Sequence, residues 1–370
     1  MELTEMLKTG RFGELAALEP TDFAVAHARV IALSRLGKAD EARAAAEKLE
    51  PHTEMESVQA VLALLDALQT VGRHAEMLDT IRRLRDSGSV DKITDETALF
   101  DLVSKRGEIE QMFEMENMAY ESLRKAFEIA HRLGDPVRML ISLQGLYDTV
   151  TATHREEESG KVGVGLLKIA RKVAAESDAP EAIVRAAEAL GSMSTDDEAE
   201  PAYLRAVEVA RQNGWKWLLA NALLSYSRFV EFNGVEDSAL DITEEACLIF
   251  RELAAIPALI MATDQKAMQL ANSGRGADAV TVMDTVIEEA AKLNDVFLTV
   301  SALSKAVSLA FEDGELDRGL AYLRRIIDIG VEKGIKPPAV PVLLREAYRL
   351  EQRTIVHEKL GVSVEDEFGD

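Results

Sequence analysis

The chain has 370 residues, 47% of them hydrophobic and only 5% aromatic, and its 65 acidic against 42 basic side chains leave a net charge of −23. That imbalance argues against direct nucleic-acid binding, because phosphate contacts need a basic stripe that releases counterions. No Pro-, Gly- or Ser-rich stretch separates linked domains, so the length must be absorbed by one continuous body or by a stack of units.

The opening residues, Met1 to Gly10, carry acidic side chains and no uninterrupted apolar core, which is not the pattern of a secretory leader. No run of about 18 apolar residues follows anywhere, so no membrane insertion is expected and the expected compartment is cytoplasmic. Three glycines then recur 35 residues apart, at Gly37, Gly72 and Gly107, each with a small or apolar residue five positions later (Ala42, Met77, Met112). Each glycine predicts the turn of a helix–turn–helix unit. From Gln111 to Gly134 the apolar spacing of Phe113, Met118, Leu123, Ala126, Phe127, Ile129 and Ala130 predicts one long helix, where the period changes. Gly163-Val-Gly165 lacks the third glycine and the preceding strand of a nucleotide loop and reads as the irregular start of a helix.

Further on, Gly234, Gly274 and Gly314 stand 40 residues apart. A second turn series runs through Gly134-Asp135, Ser177-Asp178, Asn213-Gly214, Asn294-Asp295 and Gly334, with Ala254-Ala255-Ile256-Pro257 midway between two of its members. Two offset turn series predict alternating helices throughout and no strand. The expected fold is an all-α helix-turn-helix repeat solenoid, a right-handed superhelix of about nine helix pairs. Its units have a 35-residue period over 1–110 and a 40-residue period over 111–355, the latter ending in a capping helix from Ala339 to Arg353, with an acidic tail over 356–370.

The unit from Phe23 to Pro51, with Gly37-Lys-Ala-Asp-Glu-Ala42 at its turn, small residues in its second helix and a closing proline, resembles the tetratricopeptide repeat family. Ser273-Gly274-Arg-Gly-Ala-Asp-Ala279 and Asp313-Gly314-Glu-Leu-Asp-Arg-Gly319 repeat the theme, although most of the family's aromatic positions hold Leu or Ala here. The resemblance implies a concave face lined by the first helix of each pair. Counting back from the turn glycines along one helical stripe selects candidate partner-binding residues His27, Ser34, Asp66, Gln69, Asp101, Ser104, Arg228, Glu231, Asp264, Met268 and Ser304, with nearby Asn221. Beyond Arg228 and Asn221, the basic set that clamps a peptide carboxylate in some relatives is missing.

No catalytic constellation emerges. The six histidines are scattered, none has a second histidine four residues on, and Cys247 is a lone thiol at a core-facing helical position, so no metal site, no cofactor and no enzyme activity are expected. Acidic clusters at Glu156-Glu157-Glu158, Asp196-Asp197-Glu198, Glu236-Asp237 and Glu312-Asp313 recur at one type of turn, forming an edge suited to a basic partner or serving only solubility. The leading expectation is a non-catalytic scaffold or adaptor that binds a protein or peptide in its concave groove. The alternative is a regulatory sensor, similar to bacterial peptide-pheromone receptors, whose superhelix binds a small ligand or signal peptide and switches a partner. Self-association through the Ala339 to Arg353 end is a third use of the same fold.

Overall fold

The computed structural model describes residues 3–70, 73–86, 88, 90–193, 196–292, 296–334, 337 and 339–361. Among them twenty α-helices and one short 3-10 turn, Val90–Lys92, follow one another with no strand. Two short helices, α1 (Leu3–Thr9) and α2 (Phe12–Ala16), precede the first regular pair, α3 (Phe23–Arg35) and α4 (Ala39–Ala46). The pairs continue as α5 (Glu54–Thr70) with α6 (His74–Asp86), α7 (Glu96–Met112) with α8 (Glu116–Leu133), α9 (Pro136–Ala152) with α10 (Glu156–Glu176) and α11 (Pro180–Ser192) with α12 (Asp196–Gln212). They close with α13 (Lys216–Phe232) and α14 (Glu236–Glu252), α15 (Ile256–Asn272) and α16 (Gly276–Lys292), α17 (Val296–Glu312) and α18 (Leu316–Lys333), then α19 (Ala339–Leu350) and α20 (Arg353–Leu360). Apart from α6 and α7, where α5 packs on α7 instead, each helix packs on the next, which is the contact pattern of a stack rather than of a globule.

The 40-residue period is built from 17-residue helices and three-residue connections, as in α13 to α16. The middle residue of each connection is left-handed, and the amide after it reaches back to the helix it leaves: Arg275 N to Leu270 O at 2.8 Å, Glu315 N to Ala310 O at 2.8 Å. This closure satisfies a carbonyl that would otherwise be orphaned at the helix end. Glycine supplies the conformation at Gly234, Gly274 and Gly314, but Glu114, His154 and Ala254 adopt it too, with φ of 55, 54 and 51°.

Those non-glycine turns correct the sequence reading of the first half. Gly107 is not a turn; it lies inside α7, and the chain turns at Glu114 instead, so the expected single helix from Gln111 to Gly134 is broken there. A Cβ on Gly107 would sit 2.7 Å from the Leu123 side chain, and one on Gly145 of α9 would sit 2.9 Å from the same leucine. Leu123 of α8 therefore fills a slot that two glycines open. The 40-residue spacing accordingly begins at Glu114. The expected turn at Gly72 lies outside the described residues, as do Asn294-Asp295 and residues 362–370 of the tail. Gly163 and Gly165 lie well within α10 rather than at its start, Gly163 close against Met193 and Tyr147.

At the far end Val340, Leu343, Leu344 and Ala347 of α19 are buried, as a capping helix requires. Helical order continues into the segment expected as tail, because α20 folds back on α18 with Val356 and Leu360 buried and the Tyr348 hydroxyl 2.7 Å from His357 Nε2.

One buried charge makes a pH prediction. Glu110 is 1% exposed, with Ser122 Oγ donating to it and Arg106 Nε 3.5 Å away. Burial raises its carboxyl above the ordinary 4.5, against the lowering effect of Ser122 and Arg106. The folded chain then holds this proton where the unfolded chain has lost it, a contribution to stability present below about pH 4.5 and withdrawn as pH rises through the elevated value. Glu110→Gln has no proton to lose. Its melting temperature should gain on the native chain's between pH 4 and 7, and a difference that is flat or shrinks with pH would contradict the burial effect.

Candidate functional site

The chain's two tryptophans, Trp215 and Trp217, stand at the entry to α13. The N-terminal helices reach the middle of the stack: α1 packs on α13, and α3 reaches α15, more than two hundred residues along. Trp215 Nε1 donates to Glu5 Oε1 at 3.1 Å, and Lys8 Nζ lies 4.3 Å over its ring. Phe12 of α2, 1% exposed, meets Trp217 edge-on with centroids 5.2 Å apart, and Phe250 of α14 meets the other side at 5.5 Å. Gly10 lies against Leu253, so closely that a Cβ there would be 2.6 Å from it. Arg29 Nε, donating to Ala16 O at 3.0 Å, ties α2 to α3. The solenoid is thereby closed on itself, its N-terminal helices packed against α13.

Beside this closure lies a cavity of about 430 Å³. One side is formed by Arg35 of α3 with Asp66 and Gln69 of α5, the other by first helices α13, α15 and α17 through Trp217, Asn221, Met261, Asp264, Ser301 and Lys305. Its remaining wall is mostly carbon, including Ile260, Met283, Val286 and Leu298. Such a bounded, largely apolar space with a few convergent polar groups is the usual form of a small-ligand site.

The electrostatics of the cavity are settled mostly by pairs between successive units. Asp66 Oδ1 lies 3.0 Å from Lys105 Nζ, which also donates to Gln69 Oε1 at 2.7 Å. Burial works against the Lys105 charge, yet Asp66 and Glu108 raise its pKa. Asp264 Oδ2 accepts from Lys305, while its Oδ1 is buried without a hydrogen-bond partner among the described residues. Arg35 differs from these. Its guanidinium lies 4.5 Å over the Trp217 ring, no carboxylate stands within ion-pair distance among the described residues, and burial depresses its pKa despite the field of Asp66.

Four of the sequence candidates thus come together on the cavity: Asp66, Gln69, Asn221 and Asp264. The others serve elsewhere. Asp101 is 3.6 Å from Arg138, its pKa raised by burial in spite of that cation. Arg228 Nε donates to Gln265 at 2.7 Å, and Glu231 accepts from Gln269 and Asn272. His27 is half-buried with its ring stacked on Phe23, and burial lowers its pKa. Ser34 and Ser104 are buried, Ser304 Oγ donates to Val300 O at 2.8 Å, and Met268 is exposed. Trp217, Met261, Ser301 and Lys305 also line the cavity and were not among the residues selected from the sequence. Arg35 and Trp217 carried one legible signal, the placement of both tryptophans within three residues beside the Asn213-Gly214 turn.

The acidic clusters Glu156 to Glu158 and Asp196 to Glu198 occupy the first turns of α10 and α12, where carboxylates offset the helix dipole. Glu198 is held there by Arg171 at 2.7 Å through both oxygens. The side chains of Asp196, Glu236 and Asp237 lie outside the described residues. No described group of three or more His, Cys, Asp or Glu side chains could hold a metal ion, and no described helix is long and apolar enough to cross a membrane.

No family model matches the sequence, and no curated protein does either. Among solved structures the chain is similar to yeast Tom70, with a TM-score of 0.51 and 12% identity over 95% of this chain and 84% of that one. It is also similar to a Rap protein complexed with Competence and Sporulation Factor (TM-score 0.46, 16% identity, 91% and 99% covered). A third likeness is to a signal-transduction ATPase with a tetratricopeptide repeat sensor from Pyrococcus horikoshii (0.45, 13%, 95% and 55%). The fold is therefore that of a tetratricopeptide-like repeat solenoid.

Proposed function

We propose that the chain is a non-catalytic interaction protein that works as a sensor: a ligand held beside the N-terminal closure sets how α3 and α5 sit against α13, α15 and α17, and a partner protein reads the result. The closure carries this reading. A molecule bound there touches segments far apart in sequence at once, so it has different contacts in a closed and an opened superhelix, which is the condition for shifting between them. A plain adaptor would keep α13 open for a partner helix, and the packing of α1 and of Phe12 against α13 favours a sensor instead. The stripe beyond the closure, with Arg228 and Met268, and the acidic edge are left to carry the partner.

Partner capture should then depend on closure. In pull-downs from native lysate, Trp217→Ala, which removes the ring on which Phe12 and Arg35 rest, should change retention of at least one partner about tenfold, with helicity preserved by circular dichroism. Equal retention of every partner by the two proteins would replace the sensor with an adaptor whose surface is indifferent to closure. Charge reversal of Arg228 with Glu231, set against reversal of Glu156, Glu157 and Asp197, locates the surface involved.

A further inference from the structure

The cavity beside the closure contains one cation, Arg35, that has no carboxylate within ion-pair distance among the described residues. Asp264 is paired with Lys305, and Asp66 with Lys105, which Glu108 shares, whereas Arg35 rests on the face of Trp217 and meets Asp66 only through its field. Holding a guanidinium half-buried without a counter-charge is unfavourable, and proteins that keep such a group in a cavity recover the cost when an anion arrives. The planar fork of Arg35, stacked on an indole, presents its donors in the geometry that a planar carboxylate accepts.

We propose that this cavity binds a small apolar monocarboxylic acid, its carboxylate seated on Arg35 above Trp217 and its hydrocarbon or aromatic body against Ile260, Met261, Val286 and Leu298. The lining charges cancel, Arg35 and Lys305 against Asp66 and Asp264, so it is the single guanidinium without a carboxylate at ion-pair distance among the described residues that offers a seat, for one carboxylate; a phosphate dianion or a polyanion would set excess negative charge beside Asp66 and Asp264, in a protein already at −23. Size selects a small body, since about 430 Å³ accommodates a ligand near the lower end of the range usual for small-molecule sites. The inference rests on the sensor reading for its purpose, but the seat itself is defined by Arg35 and Trp217 alone. An acid bound there would bridge α3 to α13 and α15 and so hold the closure shut.

The test uses 3-phenylpropionate and octanoate, each against its own amide, by calorimetry on the full chain, with tryptophan emission as a second readout because both tryptophans stand at the closure. The acids should bind at least tenfold tighter than the amides and alter the emission. Arg35→Gln should abolish that preference, and Arg35→Lys should restore it only in part. Should Arg35→Gln fold poorly, Ser301→Phe gives an independent check: it narrows the cavity from an exposed position in its wall and should weaken both acids with the melting temperature unchanged. Amides binding as well as acids, undiminished binding by Arg35→Gln, or no binding of either acid up to millimolar concentration overturns the proposal. A tetrapeptide with a free C-terminal carboxylate that binds tenfold tighter than either acid overturns the assignment to a small free acid. Acid binding without any change in small-angle scattering would leave the seat standing and remove the sensor reading, whereas partner capture that depends on closure but not on the acids would do the reverse.

Discussion

Phe12→Ala is expected to release the N-terminal helices from α13 while the remaining repeats stay folded. Phe12 is 1% exposed and its ring meets Trp217 edge-on, and truncating a buried phenylalanine costs about 3–5 kcal/mol. In a globular core that loss would spread through the whole molecule. In a stack each unit leans mainly on its neighbours, so the penalty falls on the contact that Phe12 makes, and α1 and α2 are short helices that bury only Met6, Phe12 and Leu15. The expected signature is loss of amide protection over residues 3–16, a red-shifted tryptophan emission and unchanged protection in α15 to α18. Emission and protection that stay at native values would show that Phe12 does not hold the closure.

The second large effect is expected at Gly107. Gly107→Val should destabilise the α7–α8 pair by more than about 2 kcal/mol, because the new side chain would begin 2.7 Å from Leu123 in an interface with no space to yield. Gly107→Ala adds a better helix former and still meets the same leucine, so its cost should be smaller but real, about 1 kcal/mol. The informative experiment is the double-mutant cycle. In a Leu123→Ala background, Gly107→Ala should become neutral or stabilising, since the obstacle is gone and α7 gains an alanine. A penalty that persists without Leu123 would mean that Gly107 is needed for a backbone conformation, as a turn glycine would be.

That contrast shows how much of the fold was legible and why part of it was not. The turn series at Gly234, Gly274 and Gly314 announced the 40-residue unit because glycine is the residue that most readily takes the left-handed conformation a helix end requires. Glu114 and His154 take the same conformation without that advertisement, so Gln111 to Gly134 read as one helix where the same construction places a turn. Gly107 misled for the complementary reason: a glycine kept for close packing has the same letter as one kept for a turn. Of the stripe chosen from the sequence, Asp66, Gln69, Asn221 and Asp264 lie on the cavity and the others do not. What no local pattern contained was the closure. Contacts from Glu5 to Trp215 and from Arg35 to Trp217 span about half the chain, and periodicity within a repeat says nothing about where one end of a superhelix meets its middle.

The closure is therefore the claim to measure directly. With Cys247 replaced by alanine, spin labels at Gly13→Cys in α2 and Arg251→Cys near the end of α14 occupy exposed positions on the two sides of the contact. Double electron–electron resonance should give one short, narrow distance distribution for the native closure, and Phe12→Ala should broaden it toward long distances. A broad, long distribution in the native chain, unmoved by Phe12→Ala, would contradict a solenoid closed by its own N-terminal helices.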